Sequence, residues 1–362
     1  MIYLANIIFI FTLIQLIVAL VNLVCFQQPK SGICNFNGLV SVLIPARNEE
    51  SNIANILTDL RKQNYQNIEI IVFNDLSTDR TEEIIAQIAK NDKRIQLINS
   101  EGLPEGWLGK NYACHSLSQM AKGEYLLFLD ADVRVKDGII TNSIALAEKY
   151  KTGLLSIFPK QKMESLGEYL TVPVMNSILL TLLPLVLVLK SKFSSMAAAN
   201  GQFMLFERAK YFEFMPHEKF KSNKVEDIEI ARFFKQKNIP VVCMLGDYTI
   251  ECRMYNGFNE AVNGFSKNVI NFFGNSFLAA ILFWVITTFG FLAVLSTLSM
   301  CLFFFYLSII FVTKVIVSFI SKQNIALNIL LLIAQQLILG WLIYKALIYK
   351  FNKQLKWKGR SI

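Results

Sequence analysis

Histidine and cysteine are scarce in this chain. Only His115 and His217 occur among 362 residues, and the six cysteines (25, 34, 114, 243, 252 and 301) form no C-x-x-C pair. That set argues against a Cys/His zinc site and gives no sign of a disulfide framework. Charge is also scarce, at 17% of residues, and residues 1–29, 268–313 and 323–344 carry none. Each uncharged run can supply the roughly 20 helical residues that cross a hydrocarbon core, and the middle run can supply two passes. The N-terminal run lacks a basic leading segment and a small-residue cleavage site, so it reads as a retained anchor. Acids are missing from residues 345–362, which hold Lys345, Lys350, Lys353, Lys356, Lys358 and Arg360. The net charge of +9 comes with no nucleic-acid-binding motif. The basic tail after an apolar run is instead a positive-inside signal and a contact for anionic lipid. No nucleic acid partner is expected.

What is present is apolar: 54% of residues are hydrophobic and Phe alone occurs 29 times. The layout expected is an anchor over 1–29, a polar domain over 38–270, further membrane helices over 271–345 and a basic tail over 346–362. Within the polar domain, "LVSVLI" (39–44), "IEIIVF" (68–73), "RIQLIN" (94–99) and "YLLFL" (125–129) are short apolar runs without clean alternation. Such runs suit strands buried on both faces. Between them lie helical patterns, with Ile53, Ile56, Leu57 and Leu60 at i, i+3, i+4, i+7. Asp79 and Glu82 have the spacing of a capping box, and Gly123 is expected just past the end of the third helix. Strand and helix in alternation predict right-handed βαβ crossovers, hence an α/β fold with a mostly parallel sheet and helices on both faces.

Ligands of such sheets bind beyond the carboxyl ends of the strands. Three polar clusters fall there: "PARNEE" after the first strand, "NDLSTD" after the second and "DAD" after the fourth. Period 2 would put Asp130 and Asp132 on one side of an extended strand, where two carboxylates repel unless a cation sits between them. Carboxylate oxygens suit Mg²⁺ or Mn²⁺, which commonly bridge to a substrate diphosphate. A divalent metal and a nucleotide are therefore expected at this edge.

"VLIPARNEE", "NDLSTDRTEE", "GWLGKNYAC", "LDADV", "NGQFMLF", "VEDIEIAR", "RMYNGF" and the terminal "WKGR" resemble family 2 glycosyltransferases of the GT-A fold. More narrowly, they resemble a membrane-anchored branch that includes carotenoid-acid and hopanoid-associated transferases. The resemblance covers roughly residues 38–270 plus the tail. It implies that Asp75 meets the uracil edge, with Pro45 and Glu49 lining the nucleotide pocket and Lys110 near the donor. It implies Asp130 at ribose or metal, Asp132 as metal ligand, and Arg253 near the diphosphate. Gly201, Gln202 and Glu226 would border sugar and acceptor, and Asp227 would be the general base. Two departures stand out. Leu76 occupies a position where the family usually has Gly, and "RMYNGF" stands in place of the Q-x-x-R-W stretch of processive synthases, which argues for single transfer.

The chemistry follows from the groups themselves. A nucleotide-sugar expels a diphosphate, whose charge a metal neutralises, so no protein acid is needed on that side. What remains is removal of the acceptor proton by one carboxylate on the opposite face, which inverts the anomeric centre. The expected enzyme moves a sugar, glucose from UDP-glucose, to a hydroxyl or carboxylate of a membrane lipid. A polyprenyl-phosphate glycosyltransferase and an inactive membrane scaffold of the same fold are the competing readings. A nucleotidyltransferase would need a Gly-rich N-terminal loop that is absent.

Residues 169–189 are uncharged inside the polar domain. A crossing there would put Asp227 and Asp132 on opposite sides of the membrane, so an interfacial or re-entrant segment is expected, broken by Pro173 and Pro184. The C-terminal apolar material reads as three passes near 275–295, 298–320 and 325–344. With the catalytic domain on the cytoplasmic face, three passes would carry the basic tail outside, against the positive-inside tendency. Either one pass is re-entrant or the count is two; the tail is expected inside.

Overall fold

A computed structural model describes residues 1–25, 34–352, 356–357 and 360–361. Residues 26–29 of the expected anchor, and Lys353 and Lys358 of the basic tail, lie outside the described residues. The chain divides into two compact units. One comprises residues 1–26, 161–186 and 253–361, the other 27–160 and 187–252. The polar block expected over 38–270 is therefore interrupted, since 161–186 and 253–270 group with the apolar helices.

The second unit is built on a seven-stranded sheet. In chain order the strands are β1 (Val40–Ala46), β2 (Ile68–Asn74), β3 (Ile95–Asn99), β4 (Tyr125–Leu129), β5 (Val133–Val135), β6 (Leu154–Phe158), β7 (Lys160–Gln161), β8 (Phe203–Glu207), β9 (Val241–Leu245) and β10 (Ile250–Cys252). The large sheet runs β3-β2-β1-β4-β8-β6-β9. All its described pairings are parallel except those of β8, which lies antiparallel between β4 and β6. The sheet is thus mostly parallel, with helices packed on it. Ile53, Ile56, Leu57 and Leu60 of helix Ile53–Arg61 are all fully buried. Four such side chains contribute about 1.5–3 kcal/mol each, which is what fixes this helix on the sheet. Pro45 is tolerated inside β1 because the pairing with β4 covers only Val40–Leu43. Its missing N–H falls where that neighbour has ended.

Three local expectations are corrected. Helix Thr81–Ala89 has Arg80, not Asp79, at its N-cap. Asp79 accepts from the Thr81 N–H and hydroxyl, while Glu82 binds Asn74 and Asn99 instead of closing a capping box. Gly123 does not close helix Gly109–Met120 in a left-handed conformation. It lets the chain pass close to β1, where an added Cβ would lie 2.5 Å from the Ser41 backbone nitrogen. Asp130 and Asp132 are not strand neighbours on one face. β4 ends at Leu129, and they stand in the turn that leads to β5, closed by the Val133 N–H on the Asp130 carbonyl at 3.2 Å.

The first unit is helical. Among the described residues, four of its helices are long and apolar enough to cross a membrane: Ile2–Val24, Phe277–Thr297, Met300–Ile320 and Leu332–Phe351. The third C-terminal run does not begin as one helix at 325, because a short helix Ile325–Leu330 precedes the long one. Helix Leu166–Leu182 is shorter, at 17 residues. Pro184 lies beyond its end, but Pro173 sits inside it and does not break it. The missing Pro173 N–H would have bonded the Tyr169 carbonyl. Gln335 Nε2 donates to that carbonyl at 2.8 Å instead. A side chain from another helix thus satisfies the acceptor that proline strands, which is how prolines survive in apolar helices.

Candidate active site

At the carboxyl ends of β1 and β2 two loops are braced against each other. The Asn48 N–H donates to the Ser77 hydroxyl, the Thr78 N–H to Asn48 Oδ1, the Glu49 N–H to the Thr81 hydroxyl and the Glu50 N–H to Asp79. Glu49 also accepts from the Asn52 amide at 2.8 Å, so its carboxylate helps start helix Ile53–Arg61. Asp75, fully buried after β2, faces Arg47, whose Nη1 lies 3.8 Å from Asp75 Oδ2 and donates to the Asp75 carbonyl. Leu76 takes φ +52°, the left-handed conformation that glycine adopts freely. The turn geometry is kept and a leucine carries the strain.

Beside this edge, β4 delivers Asp130 and helix Gly109–Met120 delivers Lys110 from its first turn. Lys110 Nζ lies 2.7 Å and 2.8 Å from the two Asp130 carboxylate oxygens and 3.3 Å from the Gly201 carbonyl. The loop into β8 passes alongside: the Asp130 N–H donates to the Gln202 carbonyl, and the Gly201 N–H donates to Asp227 Oδ2 at 2.9 Å. A side chain at position 201 would intrude on all three charged groups, its Cβ 3.1 Å from Lys110 Nζ, 3.5 Å from Glu226 and 3.6 Å from Asp227. Lys110, Asp130, Gly201, Glu226 and Asp227 therefore form one cluster. Gln202 reaches the other way, its Nε2 2.9 Å from Cys252 Sγ.

Asp227 opens helix Glu226–Gln236, and its second oxygen accepts from the Ile228 N–H at 2.8 Å. Burial raises the Asp227 carboxyl above its ordinary value, while the two backbone N–H groups and Lys110 pull the other way. Burial raises Glu226 as well; Lys110 opposes that rise and Asp227 adds to it. Burial alone would lower the Lys110 ammonium, but Asp130 and Glu226 more than offset it and hold it above its usual range. The site therefore packs more carboxylate than one lysine balances, and shares its protons accordingly.

Asp130 and Asp132 offer hard oxygen donors, and among the described residues no group of three or more potential ligands surrounds a single point. That donor set fits Mg²⁺ or Mn²⁺, which are held through one or two carboxylates with substrate phosphates completing the shell. It does not fit zinc. Arg253 belongs to the helical unit, where it is ion-paired with Glu164 and, at 2.9 Å, with Glu168. Arg47 was missed by sequence reasoning, although it lies inside the "PARNEE" cluster; a cation among carboxylates beside a buried Asp was the available signal. Glu226, which by position alone could pass for a surface acid at a helix start, is 8% exposed.

This architecture, a mixed sheet with its polar clusters on one edge, defines a GT-A domain. Residues 41–210 match the family model "Glycosyl transferase family 2", and the chain carries a family 2 glycosyltransferase domain. Among curated proteins it is similar to 4,4'-diaponeurosporenoate glycosyltransferase of Staphylococcus haemolyticus (strain JCSC1435), 28% identical over 64% of this chain and 60% of that one. The matched region thus spans less than two thirds of that relative's length. The enzyme of the same name from Staphylococcus aureus (strain USA300) is 26% identical over 76% of this chain and 72% of its own. Among solved structures, a mannosyltransferase from Pyrobaculum calidifontis in complex with GDP-Man and Mn²⁺ shares the fold, with a TM-score of 0.62 at 14% identity over 98% of both chains.

Proposed function

We propose that the chain is an inverting, metal-dependent, non-processive glycosyltransferase that moves glucose from UDP-glucose to a carboxylate or hydroxyl of a membrane lipid, of which a carotenoid acid is the leading case. The observation that carries the reading is the cluster around Gly201. It sets an ionisable carboxylate, Asp227, beside a lysine-balanced Asp130 at the ligand edge of the sheet. The acceptor class draws on the names of the two staphylococcal relatives, and the metal on the donor chemistry of Asp130 and Asp132.

In this mechanism Asp227 accepts the acceptor's proton, from a hydroxyl or from the protonated carboxyl group of an acid acceptor, and the oxygen so freed attacks the sugar as the diphosphate leaves. The two N–H groups on Asp227 fix its rotamer and favour its ionised form. Asp75 and Arg47, held by the braced loops, form the base-binding wall. Asp130 and Asp132 would hold a divalent ion, which when bound neutralises the departing diphosphate. Lys110 holds Asp130 in place through both of its carboxylate oxygens.

We further infer that the chain lies in the cytoplasmic membrane with its basic tail on the catalytic side. Helices Phe277–Thr297 and Met300–Ile320 are joined by Leu298 and Ser299, so Phe277 and Ile320 lie at the same end of a hairpin. Helix Leu332–Asn352 starts beside the middle of helix Phe277–Thr297, where the Gln336 carbonyl accepts from the Trp284 indole N–H at 2.9 Å and Thr287 donates to the Gln336 amide oxygen at 3.3 Å. Near its start Gln335 meets Lys314; near its end Lys345 and Tyr349 bond Asn263, and Lys350 lies 5.0 Å over the Phe277 ring. A helix that starts beside the middle of a hairpin and finishes at its open end covers only part of the hairpin's depth. We read it as a re-entrant rather than a crossing helix, which would keep the tail on the catalytic side as the positive-inside tendency asks.

The test of the reaction is to incubate membranes containing the protein with UDP-[¹⁴C]glucose and extract the lipids. Label in an organic-phase product that also carries the acceptor's chromophore supports the reading. Label confined to water-soluble oligosaccharide refutes it, and label in an acid-labile polyprenyl phosphate replaces the acceptor class.

A further inference from the structure

Lys314 lies in helix Met300–Ile320, six residues before its end, which is about 9 Å at the 1.5 Å rise of an α-helix. Its ammonium donates to Gln335 Oε1 at 2.5 Å and to the Ser177 hydroxyl at 3.3 Å, both neutral. Behind it a connected polar set is packed between helices. Gln335 Nε2 also donates to Asn328 Oδ1 at 3.0 Å, and Asn328 donates to Ser318 and Gln323 at 2.9 Å each. Asn328, Gln335 and Ser318 are buried, whereas Lys314 is only partly covered.

No carboxylate balances this charge among the described residues. The sequence has no Asp or Glu after Glu260 and none before Glu49. In the helical unit that leaves Glu164 and Glu168, which hold Arg253, and Glu260, which accepts from the Asn256 N–H. A neutral donor would serve Gln335 and Ser177 equally well. A lysine inside an apolar bundle is costly to keep charged. Two of its three N–H groups are accounted for by Gln335 and Ser177. An ammonium kept at such cost, among neutral dipoles and within side-chain reach of the head-group layer, is built to meet an anion. Basic pockets between helices at this depth suit lipid head groups.

We propose that Lys314, with Ser177 and the Gln335–Asn328 amides behind it, forms a binding site for the anionic head of a membrane lipid, a phosphate diester or a carboxylate. The site is separate from the Asp130–Asp227 cluster. Its test reads no turnover, so it stands or falls independently of the transfer reaction.

The experiment uses the full chain purified in maltoside micelles, with unfolding followed by tryptophan fluorescence while dioleoyl-phosphatidylglycerol, dioleoyl-phosphatidylcholine or oleate is added. Phosphatidylglycerol should raise the unfolding temperature saturably, with phosphatidylcholine ineffective and the half-saturation point moving up as salt is added. Lys314→Gln should require at least tenfold more phosphatidylglycerol, Lys314→Arg should bind within about threefold of wild type, and Lys350→Gln should be unchanged. A response to oleate alone, lost in Lys314→Gln, assigns the site to a carboxylate rather than a phosphate. Identical half-saturation in wild type and Lys314→Gln overturns the proposal. If Lys314→Gln does not fold, the wild type still decides, because equal stabilisation by phosphatidylcholine and phosphatidylglycerol with no response to oleate also overturns it.

Discussion

Replacing Asp227 by Asn separates a base from a helix-start acid, because the two side chains have the same shape. Each Asp227 oxygen accepts one backbone N–H, from Gly201 at 2.9 Å and from Ile228 at 2.8 Å. Asparagine has a single oxygen, so one of those donors must face an amide NH₂, a loss of about 1–3 kcal/mol for a buried unsatisfied group. Against this, the variant removes a carboxylate whose ionised form burial disfavours. The two effects oppose, so the folded protein should survive with a net loss of about 1–2 kcal/mol. Turnover should not survive: an amide cannot take the acceptor proton, and kcat on a hydroxyl acceptor should fall by roughly 10²–10⁴. In barrier terms that is about 2.7–5.5 kcal/mol, well above the stability change. Donor affinity should move little, whereas Asp132→Asn should weaken donor binding and turnover together. The assay is single-turnover transfer of labelled glucose in nanodiscs, paired with calorimetric UDP binding. The acid limb carries the same signature: the active form is ionised, and burial raises its pKa, so kcat should decline at higher pH than an ordinary aspartate would give. Turnover within threefold of wild type in folded Asp227→Asn would refute the assignment and pass the role to Glu226.

Chelation should abolish transfer in membranes, and Mn²⁺ or Mg²⁺ should restore it; full activity in EDTA would reduce Asp130 and Asp132 to a strand-end turn. Leu76→Gly should stabilise the protein by up to about 1 kcal/mol, since a left-handed leucine costs about 1–2 kcal/mol and glycine returns part of that as chain entropy; a lower unfolding temperature would show that Leu76, 45% exposed, packs in a way that offsets its strain. Gly123→Ala should destabilise by more than about 2 kcal/mol, because its methyl would meet the Ser41 backbone rather than a movable side chain; normal expression and melting would contradict the close approach. Cys25 and Cys301 are both exposed near helix ends. A membrane-impermeant maleimide should label Cys301 in intact cells and Cys25 only after permeabilisation; the reverse pattern would invert the proposed orientation.

The alternation of apolar runs and amphipathic helices made the sheet legible, because burial of both strand faces and the i, i+3, i+4, i+7 stripe are local signals. The polar clusters at strand ends were legible for the same reason. Pairings between distant segments were not. Lys110 and Asp130 are 20 residues apart and meet only because the helix after β3 packs across β1 and β2, with β4 next to β1. The cation expected between the carboxylates was read as a metal, and part of that balance proved to be a lysine. Pro173 was misread because its rescue comes from Gln335, far along the chain.

The Gln335–Tyr169 hydrogen bond joins residues 166 positions apart, and that separation sets a schedule for synthesis. At 5–20 residues per second, roughly 8–33 s pass between the emergence of helix Leu166–Leu182 and that of its last partner. During this interval Pro173 leaves a carbonyl unsatisfied and an apolar surface uncovered. The helix is not wholly alone, because Ile2–Val24 is made first and already offers Gln15 to Thr181 and Asn22 to the carbonyls of Leu180 and Leu183. The N-terminal helix thus acts as a holding partner during translation. Its polar face, set by Gln15 and Asn22, would be the place where a substitution lowers the yield of folded protein while leaving the activity per folded molecule intact.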